Sequence, residues 1–289
     1  MKNWYVICDE SLGDPIPGRD FWAINAAIIC DEDAYEELLE SWVHRDLKWG
    51  GRTRALVRGN KANRIKRSLA SVFERVSEGK ARLFFSFVRS NEFTNESFQV
   101  EYPIALGQRL ILFKLIQQLT MIDPEFNLHF ISDGGSALEG SPIHNYNIQP
   151  VLQKSLQDEI ELKSPNNSIS FEFMRPKNNK ALRLVDAMAG FIGWFLGGPM
   201  QKNYIPKPDL NGQILNPRAL SIRNDIASFL LKILKEKNSI DLDPENPESF
   251  IKDNSTMDTL SEIKDLNDLP PIQTIEVRPN MQHKPKIIK

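Results

Sequence analysis

Cysteine is almost absent: Cys8 and Cys30 are the only two in 289 residues. Both lie in apolar, strand-like runs and lack the CxxC or Cys/His spacing that a structural zinc site requires. They read as buried apolar fillers, with a disulfide or a nucleophilic thiol as the alternatives. Long hydrophobic runs are also missing. The stretch from Ala187 to Met200 is broken by glycines and is shorter than the ~20 residues a membrane span needs, so no membrane segment is expected. The N-terminus, MKNWYVICDES, has no basic region, apolar core or cleavage site, and the expected location is the cytoplasm. Gly-x-Ser-x-Gly, Gly-Lys-Thr and His-Glu-x-x-His are absent, which removes hydrolase triads, phosphate-loop NTPases and zincins.

What is present is enough apolar material for a core. At 41% hydrophobic content, the chain can bury one large domain, or one domain plus an appendage. The formal net charge of −2 gives no global attraction to polyanions, but the charge is unevenly spread. From Arg45 to Arg67 the bases Arg45, Lys48, Arg52, Arg54, Arg58, Lys61, Arg64, Lys66 and Arg67 face a single acid, Asp46. Screening confines electrostatics to about a Debye length, ~8 Å at physiological salt, so a local basic stretch can hold phosphates on a slightly acidic protein. Arg52, Arg54, Arg58, Lys61 and Arg64 are the candidate nucleic-acid contacts; a solvated helix face is the alternative.

The hydrophobic pattern gives an element order. Trp4 to Cys8 and Phe21 to Cys30 read as two strands close enough for an antiparallel hairpin. Helical spacing follows at Tyr35, Leu38, Leu39, Trp42 and Val43, and again at Ile65, Leu69, Val72, Phe73 and Val76, with the basic, glycine-containing loop between. Strands are expected over Arg82 to Val88, Leu128 to Ile131 and Ile169 to Met174. Helices are expected over Tyr102 to Met121, Asn147 to Ile160 and Lys180 to Leu196. The order β-β-(helical insertion)-β-α-β-α-β-α predicts an α/β fold: a ribonuclease-H-like mixed sheet of five strands flanked by helices, with the insertion between strands two and three at about 31–80. A doubly wound nucleotide-binding sheet would want a helix and a glycine-rich phosphate loop directly after the first strand, and Asp9-Glu10-Ser11-Leu12-Gly13 supplies neither. The expected organisation is a domain over 1–200, a further helix over 201–238, and an acidic, proline-containing tail over 239–289 that is partly disordered or binds a protein partner. Within that tail Pro270-Pro271 sets off a short β-like piece, Ile272 to Val277.

Three carboxylates stand where a folded chain seldom puts them without cause. Asp9 and Asp133 each close an apolar strand, and Asp186 lies on the edge of a helix face formed by Leu182, Val185, Ala189 and Ile192. Singly, each has a bland reading: a turn former or cap for the first two, an ion pair with Arg183 for Asp186. Gly190 and Gly193 share the side of Asp186 and leave room for a backbone or a ligand. In the expected topology strands one and four are neighbours with the last helix beside them, so the three acids converge. Such a cluster raises its own pKa values unless a divalent cation neutralises it, and oxygen-only ligands point to Mg²⁺ or Mn²⁺.

Four segments also resemble a known family. Tyr5-Val6-Ile7-Cys8-Asp9-Glu10-Ser11 is similar to the Y-x-D-E-S-G opening of the domain-of-unknown-function 3800 family. Asp46-Leu47-Lys48-Trp49 resembles its E-x-K-W motif, Leu184-Val185-Asp186-Ala187-Met188-Ala189-Gly190 its L-A-D-L-x-A-G helix, and Phe130-Ile131-Ser132-Asp133 its v-x-x-D strand. The resemblance covers residues 4 to 197. Leu12 stands where the family has glycine, Asp46 replaces Glu, and the acidic tail lies outside the pattern. The resemblance implies a ribonuclease-H-like, metal-dependent nuclease in which Asp9, Asp133 and Asp186 hold the ions and Lys48 reaches toward the metal or the scissile phosphate. Glu10, on the opposite side of its strand from Asp9, is a supporting candidate; Glu101 is a candidate fourth ligand, and His144 a candidate base. DNA or RNA is the expected partner, with homo-oligomerisation left open. The reading from a different class is a non-catalytic scaffold or nucleic-acid-binding subunit of a larger bacterial complex.

Overall fold

The structure, a computed structural model, describes residues 1–12, 21–40, 49, 61–89, 101–133, 166–174, 178–205, 214, 216–247, 249–253 and 263–277. Strands β1 (Lys2–Leu12), β2 (Phe21–Asp31), β3 (Ala81–Arg89), β4 (Phe126–Asp133), β5 (Ser168–Met174) and β6 (Ile272–Val277) form one sheet in the order β5-β4-β1-β2-β3-β6. β1 pairs antiparallel with β2, and β2 antiparallel with β3; β4 runs parallel to β1, β5 parallel to β4, and β6 parallel to β3. The protein is thus α/β, with a mixed sheet flanked by helices.

Helices α1 (Glu32–Glu40) and α2 (Lys61–Ser77) fall between β2 and β3, and α3 (Glu101–Ile122) between β3 and β4. After β5 come α4 (Lys180–Leu196), α5 (Pro217–Asn238) and the short α6 (Ser249–Asp253). Strand β1 reads as a nearly continuous apolar run because both faces of the central sheet are covered. Trp4, Val6 and Cys8 point to α3, which buries Ile111, Leu112, Leu115, Ile116 and Leu119 against them. Ile7, with Ile24 and Ile28 of β2, points to the other side, where Leu182, Val185, Ala189 and Ile192 of α4 pack. Helices α2 and α5 close that side through Phe73, Ile226 and Leu230.

The sheet has six strands rather than the expected five, and the sixth comes from the expected tail. Ile272, Gln273, Thr274 and Val277 of β6 are buried. Gln273 and Gln118 of α3 exchange amide hydrogen bonds at 2.8 and 3.3 Å, and Thr274 Oγ1 donates to the Ile251 carbonyl at 2.8 Å. The segment is short, but β3 would otherwise be an open edge. Phe250 of α6 meets Phe85, Phe87 and Phe195 edge-on. No helix among the described residues is long and apolar enough to cross a membrane. The helix expected over 147–160 lies outside the described residues.

Candidate functional site

Asp9 does not close its strand, as its sequence context implied; β1 continues to Leu12, so the carboxylate sits within paired backbone opposite Ala26. Asp9 is 3% exposed. Asp133 does end β4, and its side chain is outside the described residues. Cys8 is in register with Ser132 across the parallel β1–β4 pair, so Asp9 and Asp133 are each the next residue along adjacent strands, at one level of the sheet. By alternation from Ile7 and Ile131, both in the core under α4, the two positions belong to the α4 face.

Asp186 is half-buried in α4, between runs of buried residues. The level of that helix is set at its start. Asn179 caps it, its Oδ1 accepting from the Ala181 and Leu182 N–H groups at 2.8 and 3.2 Å, while its Nδ2 donates to the Tyr35 hydroxyl at 3.0 Å. The Tyr35 ring lies flat on Tyr5 of β1, with centroids 4.2 Å apart and planes 6° apart. Helix α4 therefore begins over Tyr5 and runs along β1 and β2 toward their Asp9 end. Seven residues of helix rise ~10 Å and four residues of strand ~13 Å, so Asp186 and Asp9 come to similar heights. Arg183, one turn before Asp186, is 8% exposed.

Among the described residues no three His, Cys, Asp or Glu side chains gather into a metal-binding group. That set omits the side chains of Asp133, Glu10 and Glu101. The backbone places Glu10 beside Asn25 of β2 and Ser86 of β3, on the α3 face rather than with Asp9. Beneath that row Asn25 Nδ2 donates to Ser86 Oγ at 2.8 Å, and Gly107 lets α3 approach, since a Cβ there would overlap both groups. Glu101 opens α3 on the same side. Lys48, His144, Arg52, Arg54 and Arg58 lie outside the described residues.

Trp49, next to Lys48, is described and 5% exposed. It fills the space at Gly190 that the sequence left open: a Cβ at Gly190 would overlap that of Trp49. The indole meets Phe191 and Trp194 with centroids 5.6 and 6.4 Å apart. The last residue of the Asp46–Trp49 segment is thereby seated one turn beyond Asp186.

Lys61 and Arg64 occupy the first turn of α2, which holds no acid. Trp194 Nε1 donates to Asn224 Oδ1 at 2.9 Å, Lys66 pairs with the adjacent Asp225 at 2.7 Å, and Phe73 meets Phe191 at 6.3 Å. As α4 advances from 191 to 194, α2 therefore goes back from 73 to 66. The two helices are antiparallel, and Lys61 and Arg64 lie toward the end of the molecule to which β1 and α4 point. They lie beyond Asp186 in that direction. Arg223 lies over the Trp194 ring, 5.1 Å from its centroid; burial pulls its pKa below the ordinary arginine value.

His129 of β4 is half-buried. It stacks on Tyr5 at 4.8 Å, and its Nδ1 is 2.8 Å from Ser170 Oγ. Sequence reasoning passed over Asn179 and took Tyr35 only as an apolar helix position. Asn-Asn-Lys before an apolar helix is a legible capping signal, but a tyrosine on α1 reaching that cap is a tertiary fact with no local signature. In comparisons with known proteins, no family model and no curated protein matches this chain.

Proposed function

We propose that this chain is a divalent-metal-dependent nuclease on a ribonuclease-H-like fold, with Asp9, Asp133 and Asp186 as the ion-holding carboxylates. The observation that carries the reading is the β1–β4 register: Asp9, nearly without exposure, and Asp133 stand side by side on parallel strands under the helix that bears Asp186. The strand order β3-β2-β1-β4-β5, with the first three strands antiparallel and the last two parallel to β1, supports the fold assignment.

The donor set fits a hard cation. A buried carboxylate costs several kcal/mol unless it is paired, and a second acid at the neighbouring position raises that cost. Oxygen-only ligands suit Mg²⁺ or Mn²⁺. Such an ion supplies Lewis-acid stabilisation of charge on a phosphodiester. The chain's own part is to fix the carboxylates on rigid strands and a capped helix, and to hold the nucleic-acid backbone with cations beyond them. Lys61 and Arg64 take that second role, with Arg52, Arg54 and Arg58 as further contacts and Lys48 directed to the reacting phosphate.

One observation favours a second reading. Arg183 is buried one turn before Asp186, a spacing that suits a structural ion pair, and the chain would then be a non-catalytic scaffold. Cleavage of labelled single- and double-stranded DNA and RNA in Mg²⁺ and Mn²⁺ separates the two. Wild type is expected to cut, with Asp9→Asn and Asp186→Asn losing at least about a hundredfold in rate while staying folded. Equal behaviour of all three proteins, with no metal-induced thermal stabilisation, would sink the nuclease reading.

A further inference from the structure

Apolar packing holds α4 against the sheet, but small and aliphatic residues recur along it, and such a face tolerates sliding. Directional contacts do not, and two sets of them flank Asp186. Seven residues before it, Asn179 joins the helix cap to the Tyr35 hydroxyl at 3.0 Å, and Tyr35 is stacked flat on Tyr5 of β1. Four residues after it, Trp49 sits in the notch at Gly190. We infer that these two contacts pin the axial register of α4 on β1, and that Asn179, Tyr35 and Trp49 are positioning residues that hold Asp186 level with Asp9. What the register serves rests on the nuclease reading above.

The first pin is buried and saturated. Asn179 uses its carbonyl for two helix N–H groups and its amide for the tyrosine, so one side chain both ends the helix and ties it to another element. Tyr35 is fixed at both ends, by the stack on a strand and by the bond to a helix. Burial pushes its pKa up, the Asn179 bond opposing, so the phenol stays neutral at working pH. The second pin works by shape. A slip of α4 by one turn in either direction would bring Asp186 or Trp194 to the place of Gly190, and either Cβ would overlap Trp49. Trp49 keeps this seat although its buried indole N–H has no acceptor among the described residues, a cost that a merely space-filling leucine would avoid. The pins lie ~10 Å below and ~6 Å above Asp186, so neither touches the reacting groups and both act through the helix.

The test uses the full chain with four variants. Tyr35→Phe keeps the stack and deletes the hydroxyl. Asn179→Ser keeps the cap and deletes the amide, whereas Asn179→Asp keeps the cap and accepts from the tyrosine hydroxyl. Gly190→Ala displaces Trp49. Two quantities are read: amide hydrogen exchange of peptides within 180–196 relative to α5 and β2, and the Mn²⁺ concentration giving half-maximal thermal stabilisation. Exchange in 180–196 is expected to rise about tenfold in Asn179→Ser and Gly190→Ala, less in Tyr35→Phe, and to return to within about twofold of wild type in Asn179→Asp. The Mn²⁺ midpoint should rise on the order of tenfold in the first two and recover in Asn179→Asp. Exchange that is unchanged, or that rises equally in α5 and β2, overturns the inference. So does an unmoved Mn²⁺ midpoint in variants of a wild type that responds to Mn²⁺. If wild type shows no Mn²⁺ response but exchange rises selectively in 180–196, the nuclease reading falls and the pinned register stands.

Discussion

Two buried charges, on opposite faces of the sheet, are treated differently by this fold. Arg82 of β3 is 4% exposed, and Asp9 of β1 is 3% exposed. Around Arg82 the chain gathers acceptors: Nε donates to the Leu269 carbonyl at 2.9 Å, Nη1 to those of Ala81 and Val76 at 2.8 and 3.3 Å, and Nη2 to Asn267 Oδ1 at 3.2 Å. Those groups come from the end of α2, from β3 itself and from the segment before β6, so the guanidinium closes the C-terminal strand onto the sheet. Around Asp9 the fold brings acidic positions instead: Asp133 at the same level of the next strand, and Asp186 on the helix above. A charge that serves folding is met by opposite partners from the chain. In the proposed nuclease reading, an acid that serves a ligand is instead grouped with other acidic positions.

The largest expected effect breaks that comparison directly. Arg82→Met should cost about 3 kcal/mol or more in urea unfolding with chelator present, because several buried carbonyls lose a charged donor at once. Under the same conditions Asp9→Asn should lie within about 1 kcal/mol of wild type, since relief of repulsion among the acids offsets its lost contacts. An Asp9→Asn variant as damaged as Arg82→Met would make Asp9 a structural acid.

A smaller effect sharpens the picture of the C-terminal corner. Gln118 and Gln273 satisfy each other in a buried, reciprocal pair. Gln118→Leu alone leaves the second amide stranded and should cost about 1–3 kcal/mol. The Gln118→Leu/Gln273→Leu double variant should be less damaged than the sum of the two singles, by about 1 kcal/mol in a double-mutant cycle. Strict additivity would mean that the pair is not a coupled unit.

The two regions also differed in how much the sequence revealed. Period-two alternation and apolar runs marked β1 to β5, and the expected helix from Lys180 to Leu196 has the observed bounds. Asp9, Asp133 and Asp186 stand out locally, as acids against apolar runs. The β1–β4 register that makes neighbours of the first two is a long-range pairing that only the fold specifies. At the other corner, Ile272–Val277 reads as a short β-like piece with the observed bounds, but it follows Pro270-Pro271 and an acidic stretch and is expected in a tail rather than in the sheet. Its partner β3 lies far back in the chain, and nothing local shows that an edge there needs covering. Trp49 was visible as part of a motif. That it would take the space beside Gly190, rather than a backbone or a ligand, depends on how α4 meets the basic segment.

The smallest effect concerns two acids of the C-terminal corner that are spent on backbone rather than gathered. Asp268 Oδ2 accepts from the N–H groups of Lys264 and Asp265 at 2.8 and 3.0 Å, while the Asp265 carboxylate accepts from the Asn267 N–H, forming a capping box around Leu266–Asp268. This box carries Asn267, which receives Nη2 of Arg82. The two backbone bonds, with Lys264 nearby, hold the Asp268 carboxyl below the usual carboxylate range. A depressed folded-state pKa fixes the sign: the stabilisation is fully present above the unfolded value, near ~4, and is lost as pH falls through the folded one. The stability gap between wild type and Asp268→Asn should therefore narrow between about pH 6 and pH 3 in paired urea titrations. The group is solvent-exposed, so the gap is small at every pH and is read as a change of sign-definite slope. A gap that widens on acidification would mean that the neutral carboxyl serves the box better than the ionised one.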